Sequence, residues 1–167
     1  MTVDRMRTLR GALAGGVAAA VWLAQQPLDK RVFACQHDDA KLPSRLVSGS
    51  LVTGAALHIQ NGFLFGAVYA NVAPRVPVPA TLRGPLAGLA EHLVTWPSIA
   101  FVDAPLASSG RAFAQSAWRH LLFGVVLGEL ERRLNGPGEL EPVDEAAVAS
   151  NGHGSVDHLV ASGPAPR

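Results

Sequence analysis

A ladder of small residues at four-residue spacing occurs twice in the chain, and this feature most constrains the fold. One copy lies in and beside the apolar segment 118–128, at Ser116, His120, Gly124 and Gly128. The other copy lies at Gly54, His58, Gly62 and Gly66. Side chains four positions apart share one face of an α-helix. Each ladder therefore predicts a helix with one flat side, against which another backbone can pack closely.

Pairs of glycines separated by three residues occur in four apolar segments. The predicted packing glycines are Gly11, Gly15, Gly62, Gly66, Gly84, Gly88, Gly124 and Gly128. A glycine inside a helix costs roughly 1 kcal/mol relative to alanine, so this many glycines indicate a packing role. In lipid, where hydrophobicity does not draw helices together, small residues permit the close backbone approach that holds them. The same glycines would also serve the interface of a homo-oligomer.

The soluble alternative is a four-helix bundle, which needs a charged face on each helix, turned away from the core. Residues 11–24 contain no charge, and residues 121–130 show no such face. The mean hydropathy of the whole chain is +0.22, and this average includes the polar C-terminal end. The missing polar faces therefore favour a membrane bundle over a soluble one.

The predicted helices cover residues 9–26, 51–72, 82–102 and 113–134. We expect Pro27 to end the first, because proline disfavours helix at the residue before it, and Pro97 to kink or end the third. The first is about 27 Å and the fourth about 33 Å long, close to the roughly 30 Å of a hydrocarbon core. Residues 28–50 predict a polar loop. The predicted fold is all-α, a four-helix transmembrane bundle over residues 1–134, with a disordered polar tail over residues 135–167.

The chain also predicts an internal repeat of two tandem helical hairpins, residues 9–72 and 82–134. Residues 10–15 (RGALAG) and 83–88 (RGPLAG) differ at one position, and the second and fourth segments share the ladder. Such hairpins have the same orientation, related by a pseudo-two-fold axis along the membrane normal. Two registers fit: the ladder equates Gly66 with Gly128, whereas the shared Leu-Phe-Gly sequence equates Gly66 with Gly124.

Charge and cysteine content exclude several classes of function. The net charge is +1, and no basic stripe alternates with aromatic residues, so we expect no nucleic-acid partner. Cys35 is the one cysteine, which rules out an internal disulfide and a cysteine-based metal site. No nucleophile elbow or phosphate-binding loop occurs. The sequence therefore predicts a protein that is not an enzyme.

Several polar side chains fall inside the predicted spans, namely His58, Asn61, Glu91, His92, Arg119 and His120. A charge at the centre of a bilayer costs about 2.5–3.5 kcal/mol on insertion scales, so such groups face the bundle interior and find partners there. Glu91 follows Gly84 by seven residues and so shares its azimuth. We therefore expect these side chains to converge on one layer inside the bundle.

Three roles for this polar cluster remain open. The first is structural, in which Glu91 pairs with Arg119 or a histidine and the other groups hydrogen-bond across helices. The second is proton or ion handling through Glu91, His92 and His120. The third is a metal or haem site, with His58, His92, His120 and Glu91 as candidate ligands. Because no His-x3-His or Glu-x2-His pair occurs among them, we expect no bound cofactor and no metal.

Residues 25–30 (QQPLDK) and 114–120 (AQSAWRH) resemble sequences of small uncharacterised bacterial integral membrane proteins of the actinobacterial type. The resemblance covers the four predicted spans and not the tail. It implies a membrane location and no activity, and no site residue is carried over from it.

The resulting expectation is a small, non-enzymatic multi-pass protein of the inner (plasma) membrane, acting as a scaffold or partner subunit in the lipid bilayer. The expected partners are the bilayer itself and either further copies of the chain or another membrane protein. Arg5, Arg7, Arg10, Arg132 and Arg133 favour cytoplasmic termini. The alternative functions are a small transporter or proton- and ion-handling protein, and then a metal- or haem-binding membrane protein.

Overall fold

The computed structural model describes residues 4–38 and 50–136, and within them only helices, turns and connecting segments occur. The long helices are α1 (Arg5–Val32), α2 (Leu51–Val72), α3 (Ala80–Val102) and α5 (Gly110–Asn135). A one-turn helix, α4, covers Ala104–Ala107, and the 3-10 turn Ala73–Arg75 follows α2. The all-α prediction is confirmed. Asn135 belongs to α5 and not to the predicted tail, whose residues from 137 onward lie outside the described part.

The structure differs most from the predicted helices at the end of α1 and in the segment after α3. Helix α1 continues through Pro27 to Val32, although its end was predicted at residue 26. Proline removes one backbone hydrogen bond, but Asp29 beyond it is fully buried against other helices, and these contacts hold the last turn in place. The segment between the third and fourth predicted helices contains helix α4, because the Asp103 side chain accepts a hydrogen bond from the backbone N–H of Leu106.

Helices α1 and α2 are in backbone contact along their glycines. A Cβ atom added to Gly11 would collide with the carbonyl oxygen of Gly66, and one added to Gly15 would collide with that of Gly62. The reciprocal substitutions at Gly62 and Gly66 meet the backbone of α1 in the same way. The absence of side chains at these positions is therefore what allows the two helices to approach.

Helices α3 and α5 meet through a second set of glycines in the same manner. A Cβ on Gly84 would collide with the Gly124 carbonyl oxygen, as one on Gly11 collides with that of Gly66. A Cβ on Gly88 would collide with the carbonyl oxygen of His120. These contacts correspond between the two hairpins when Gly66 is equated with Gly124. They therefore follow the register of the Leu-Phe-Gly sequence and not that of the ladder.

The two pairs are joined where α1 packs against α5. The core there is formed by small residues of α1 together with Trp22, Tyr69, Phe123 and Leu127. At the end that carries the N-terminus, Arg7 pairs with Glu131 at 2.7 Å and donates a hydrogen bond to the Ala70 carbonyl oxygen. Arg7 thereby ties α1 to both α2 and α5.

Helices α2 and α3, in contrast, lie on opposite sides of a cleft and make few direct contacts. The 3-10 turn at Ala73–Arg75 connects them at one end of this cleft. Each is held instead by its own glycine partner, α2 by α1 and α3 by α5. The architecture therefore leaves an opening along the α2–α3 side, and the cavities described below lie along it.

Large apolar side chains point outward from all four long helices. Leu9, Leu13 and Val17 form an exposed stripe on α1, while Gly11, Gly15 and Ala18 face the interior. Among the described helices, one meets the length and hydropathy expected of a membrane span, Leu51–Arg75, with a mean hydropathy of 1.3. Of the predicted membrane fold, the structure therefore supports a helical protein with one segment long and apolar enough to cross a bilayer.

Candidate functional site

The most deeply buried charges form an ion pair between α1 and α5. Arg119 Nε lies 2.6 Å from Asp29 Oδ2, and Arg119 Nη2 lies 2.6 Å from Asp29 Oδ1. The two side chains are 0% and 1% exposed. This is the planar two-bond geometry in which an arginine and a carboxylate interact most strongly.

Two glutamines complete the shell around the Asp29 carboxylate. Gln25 Nε2 donates to Oδ2 and Gln115 Nε2 donates to Oδ1, each at 2.7 Å. Each carboxylate oxygen therefore accepts one bond from Arg119 and one from an amide. Since a buried charge is tolerated only when its hydrogen-bonding capacity is filled, this arrangement explains why the pair can lie in the interior.

The ion pair also holds the segment that follows α1. Arg119 Nη2 donates to the carbonyl oxygen of His37 at 3.1 Å, and Gln115 Nε2 donates to that of Cys35 at 3.2 Å. Lys30 pairs with Asp38 at 2.8 Å. Residues 35–38 are therefore folded back against α1 and α5, where Arg119, Gln115 and Lys30 hold them.

This pairing differs from the predicted one, in which Arg119 was a possible partner of Glu91. Arg119 contacts Asp29, and Glu91 contacts Asn61, whose Nδ2 lies 3.4 Å from Glu91 Oε1. Sequence reasoning missed Asp29 because it placed this residue in the polar loop after Pro27. A signal was present: Gly15, Trp22 and Asp29 are seven residues apart and share one helix face once α1 continues.

The imidazoles of the polar cluster lie around Trp22. The ring centroids of His58 and His120 are 4.7 and 4.5 Å from that of the Trp22 indole, both in edge contacts. The ring centroids of His92 and His120 are 5.0 Å apart, and Ser116 Oγ lies 3.3 Å from His92 Nδ1. The structure therefore brings all three predicted histidines together, on three different helices.

One tautomer follows from these contacts. His120 Nδ1 lies 2.9 Å from the Ser116 carbonyl oxygen, which can only accept a hydrogen bond. His120 therefore carries a proton on Nδ1, and in its neutral form Nε2 is the acceptor. This orientation is set within α5, since the two residues are one helical turn apart.

A cavity of about 280 Å³, which we call the central cavity, lies between all four long helices. Its polar lining includes Glu91, Asn61, His58, His120, Thr95 and Ser116. Its aromatic lining comprises Trp22, Trp96 and Phe123. Four of the six predicted polar residues therefore face one space, whereas Arg119 belongs to the ion pair with Asp29.

Glu91 is the acidic group of the central cavity. No lysine or arginine lines the cavity among the residues that the structure describes, and within them Glu91 forms no ion pair. Its hydrogen bond from Asn61 is long, at 3.4 Å. The carboxyl group is thus positioned to bind a cation or to exchange a proton with a group that enters the cavity.

The metal hypothesis finds no geometry in its favour. In the described part of the chain, no three His, Cys, Asp or Glu side chains are arranged so that they could hold a metal ion. The candidate ligands were His58, His92, His120 and Glu91. His58, Glu91 and His120 line the central cavity, whereas His92 lies against His120 and is not among the lining residues. The four groups do not converge on one point.

A central cavity with one carboxylate, imidazoles and aromatic walls can bind a small ligand, accept a proton, or do both. Ser116 Oγ lies 3.3 Å from His92 Nδ1, and both residues are buried. Among the residues that the structure describes, Glu91 has no second carboxylate beside it in the cavity lining. No family model, no curated protein and no solved structure matches the chain.

Proposed function

We propose that the chain is a small multi-pass protein of the inner (plasma) membrane, with its four long helices forming a bundle across the bilayer. The observation that carries this proposal is the distribution of side chains. Val94 and Phe101 are 79% and 91% exposed, while Arg119 and Asp29 are buried. A soluble protein buries large apolar groups and exposes charges. Extended outward apolar surface of this kind fits contact with lipid.

Each of the four long helices is long enough to span a bilayer. Helices α1 and α5 have 28 and 26 residues, and α2 and α3 have 22 and 23. At 1.5 Å per residue these correspond to about 33–42 Å, more than the roughly 30 Å of a hydrocarbon core. The ends of α1, which carry Arg5, Arg7, Lys30 and Arg31, therefore reach the headgroup region.

Chemical labelling tests the number of spans, because Cys35 is the one cysteine of the chain. With four spans, Cys35 and a cysteine placed by Ser108→Cys lie on one side, and one placed by Arg75→Cys lies on the other. The two replacements are made in a Cys35→Ser background. In spheroplasts with cytoplasmic termini, an impermeant maleimide should modify the first two sites and not the third.

A single span over Leu51–Arg75 gives a different pattern, since positions 75 and 108 would then react from the same side. Modification of all three sites in unlysed spheroplasts, or release of the protein by alkaline carbonate, contradicts membrane integration of the bundle. Lysed cells provide the control, because every cysteine should react there.

Within this class, we propose ion or proton handling at the central cavity as the function, ahead of a purely structural scaffold. The supporting observation is Glu91, a carboxyl group that faces a cavity inside the bundle with no ion-pair partner among the described residues. A structural role would be served best by a fully bonded group, as Asp29 is. Intramembrane carboxyl groups commonly mark ion and proton pathways.

Proteoliposomes test this role. With an imposed pH gradient, the protein should raise proton flux, and Glu91→Gln should return the flux to the rate of empty vesicles, because an amide cannot exchange the proton. Glu129→Gln is the matched control: its exposed carboxylate pairs with Arg132 and Arg133, and its loss should leave the flux unchanged. Equal flux in wild type and Glu91→Gln would instead favour the scaffold role.

A further inference from the structure

The central cavity combines one carboxyl group with aromatic walls. Glu91 lines it together with the indole rings of Trp22 and Trp96 and the phenyl ring of Phe123. The faces of aromatic rings attract cations, and indole does so most strongly. A carboxylate among such rings is the combination by which proteins recognise organic ammonium groups.

An organic cation fits this cavity better than a metal ion does. Divalent hard cations require six or more oxygen ligands at short distance. Glu91 supplies the cavity's one carboxylate among the described residues, and no group of three ligands is present there. A quaternary ammonium group needs no such ligand set, because its charge is spread over methyl groups that contact ring faces.

A second, apolar cavity of about 340 Å³, which we call the lateral cavity, continues along the same two helices. Its lining is almost entirely apolar and includes Phe65, Val68, Val72, Leu86 and Ala90. Phe65 also touches Phe123 of the central cavity, with ring centroids 5.6 Å apart. The two cavities thus follow one another along the α2–α3 side, polar in one part and apolar in the next.

From this arrangement we infer that the α2–α3 side binds one amphiphilic organic cation. Its ammonium head lies in the central cavity beside Glu91, and its alkyl tail lies in the lateral cavity. The inference rests on the proposed membrane function and names the ligand class of the same site. The few contacts between α2 and α3 leave a lateral opening through which such a ligand enters from the bilayer.

Binding is tested with the full chain in phosphatidylcholine nanodiscs, using decyltrimethylammonium as the probe. Decyl sulfate and 1-decanol carry the same tail with an anionic and a neutral head, and empty nanodiscs correct for partition into lipid. Trp22 and Trp96 line the cavity, so their fluorescence reports occupancy. The cation should bind at least about tenfold more tightly than the other two probes, and Glu91→Gln should remove most of this preference.

The position of the tail is tested on α3. Ala90 lines the lateral cavity, whereas Val94, one turn further on, lines neither cavity and is exposed. Ala90→Phe should weaken decyltrimethylammonium binding several-fold and leave tetramethylammonium binding unchanged. Val94→Phe is the matched control and should affect neither probe. Gel filtration verifies that each variant remains folded.

Equal binding of the three decyl probes overturns the inference, as does full cation binding by Glu91→Gln. If these results come with four-span labelling and Glu91-dependent proton flux, the proposed function stands and only the ligand class is wrong. If labelling instead shows that the bundle does not span the membrane, the proposed function itself fails. Selective cation binding that depends on both Glu91 and Ala90 supports the inference.

Discussion

Replacing Gly15 with alanine will destabilise the protein by about 1–3 kcal/mol, although alanine is the better helix former. The new Cβ would lie 2.9 Å from the Gly66 Cα atom and closer still to the Gly62 carbonyl oxygen. Both are backbone atoms, so no side chain can rotate away to make room. The helices α1 and α2 must separate along their length, and Gly15→Leu should prevent their packing altogether.

Gly110→Ala is the matched control, because it makes the same chemical change in a helix where nothing lies within 4 Å of the new Cβ. Its thermal midpoint should be unchanged or slightly higher. Gly88→Ala should behave like Gly15→Ala, since its Cβ would meet the backbone of α5. Thermal or denaturant unfolding in detergent, with gel filtration for dispersity, measures all three. A Gly15→Ala protein as stable as Gly110→Ala contradicts the close contact of α1 and α2.

The helices of this protein could be predicted because apolar segments and helix-ending residues are features of the local sequence. The apolar segments, the prolines at 74, 77 and 79 and Asn135-Gly136 give three of the four long helices within three residues, whereas α1 ends six residues after its predicted end. The glycines assigned to packing faces are those that make backbone contacts across the two helix pairs. A helix has 3.6 residues per turn, so residues four positions apart lie on the same face. The spacing of the glycines therefore identifies the packing face of each helix.

The partner of each polar group could not be predicted in the same way. Arg119 can reach a carboxylate on any neighbouring helix, and the choice of Asp29 over Glu91 depends on how α1 lies against α5. That placement follows from the packing of small residues of α1 beside Phe123 and Leu127, and from the length of α1, which was predicted to end too early, at Pro27. Because α1 was predicted to end before Asp29, this residue was not considered as the partner of Arg119.

The register of the internal repeat also could not be predicted from the sequence. Both registers match similar residue types, and the ladder covers the longer stretch of sequence. The contacts of Gly84 and Gly88 nevertheless correspond to those of Gly11 and Gly15 through Gly124 and His120. His120 thus stands at the level of Gly62, so that one helix pair contributes an imidazole to the cavity where the other has only backbone.

Asp29→Asn will cost about 3–5 kcal/mol of stability, because it leaves the fully buried Arg119 guanidinium without its counter-charge. Arg119→Met should cost a similar amount by stranding the carboxylate. The double variant Asp29→Asn/Arg119→Met should lose much less than the sum, since it removes both buried charges and leaves groups of comparable length. Unfolding of the four proteins gives the coupling energy of the pair.

The matched control is Glu129→Gln, in which an exposed carboxylate of α5 loses its bonds to Arg132 and Arg133. Solvent replaces those bonds, so its unfolding midpoint should not change measurably. The Asp29 variants should also free residues 35–38, because Arg119 and Gln115 hold the His37 and Cys35 carbonyl oxygens. Cys35 should then react faster with maleimide in Asp29→Asn than in wild type. If Asp29→Asn is no less stable than Glu129→Gln and Cys35 reacts at the same rate in both, then Asp29 and Arg119 do not form the buried link between α1 and α5.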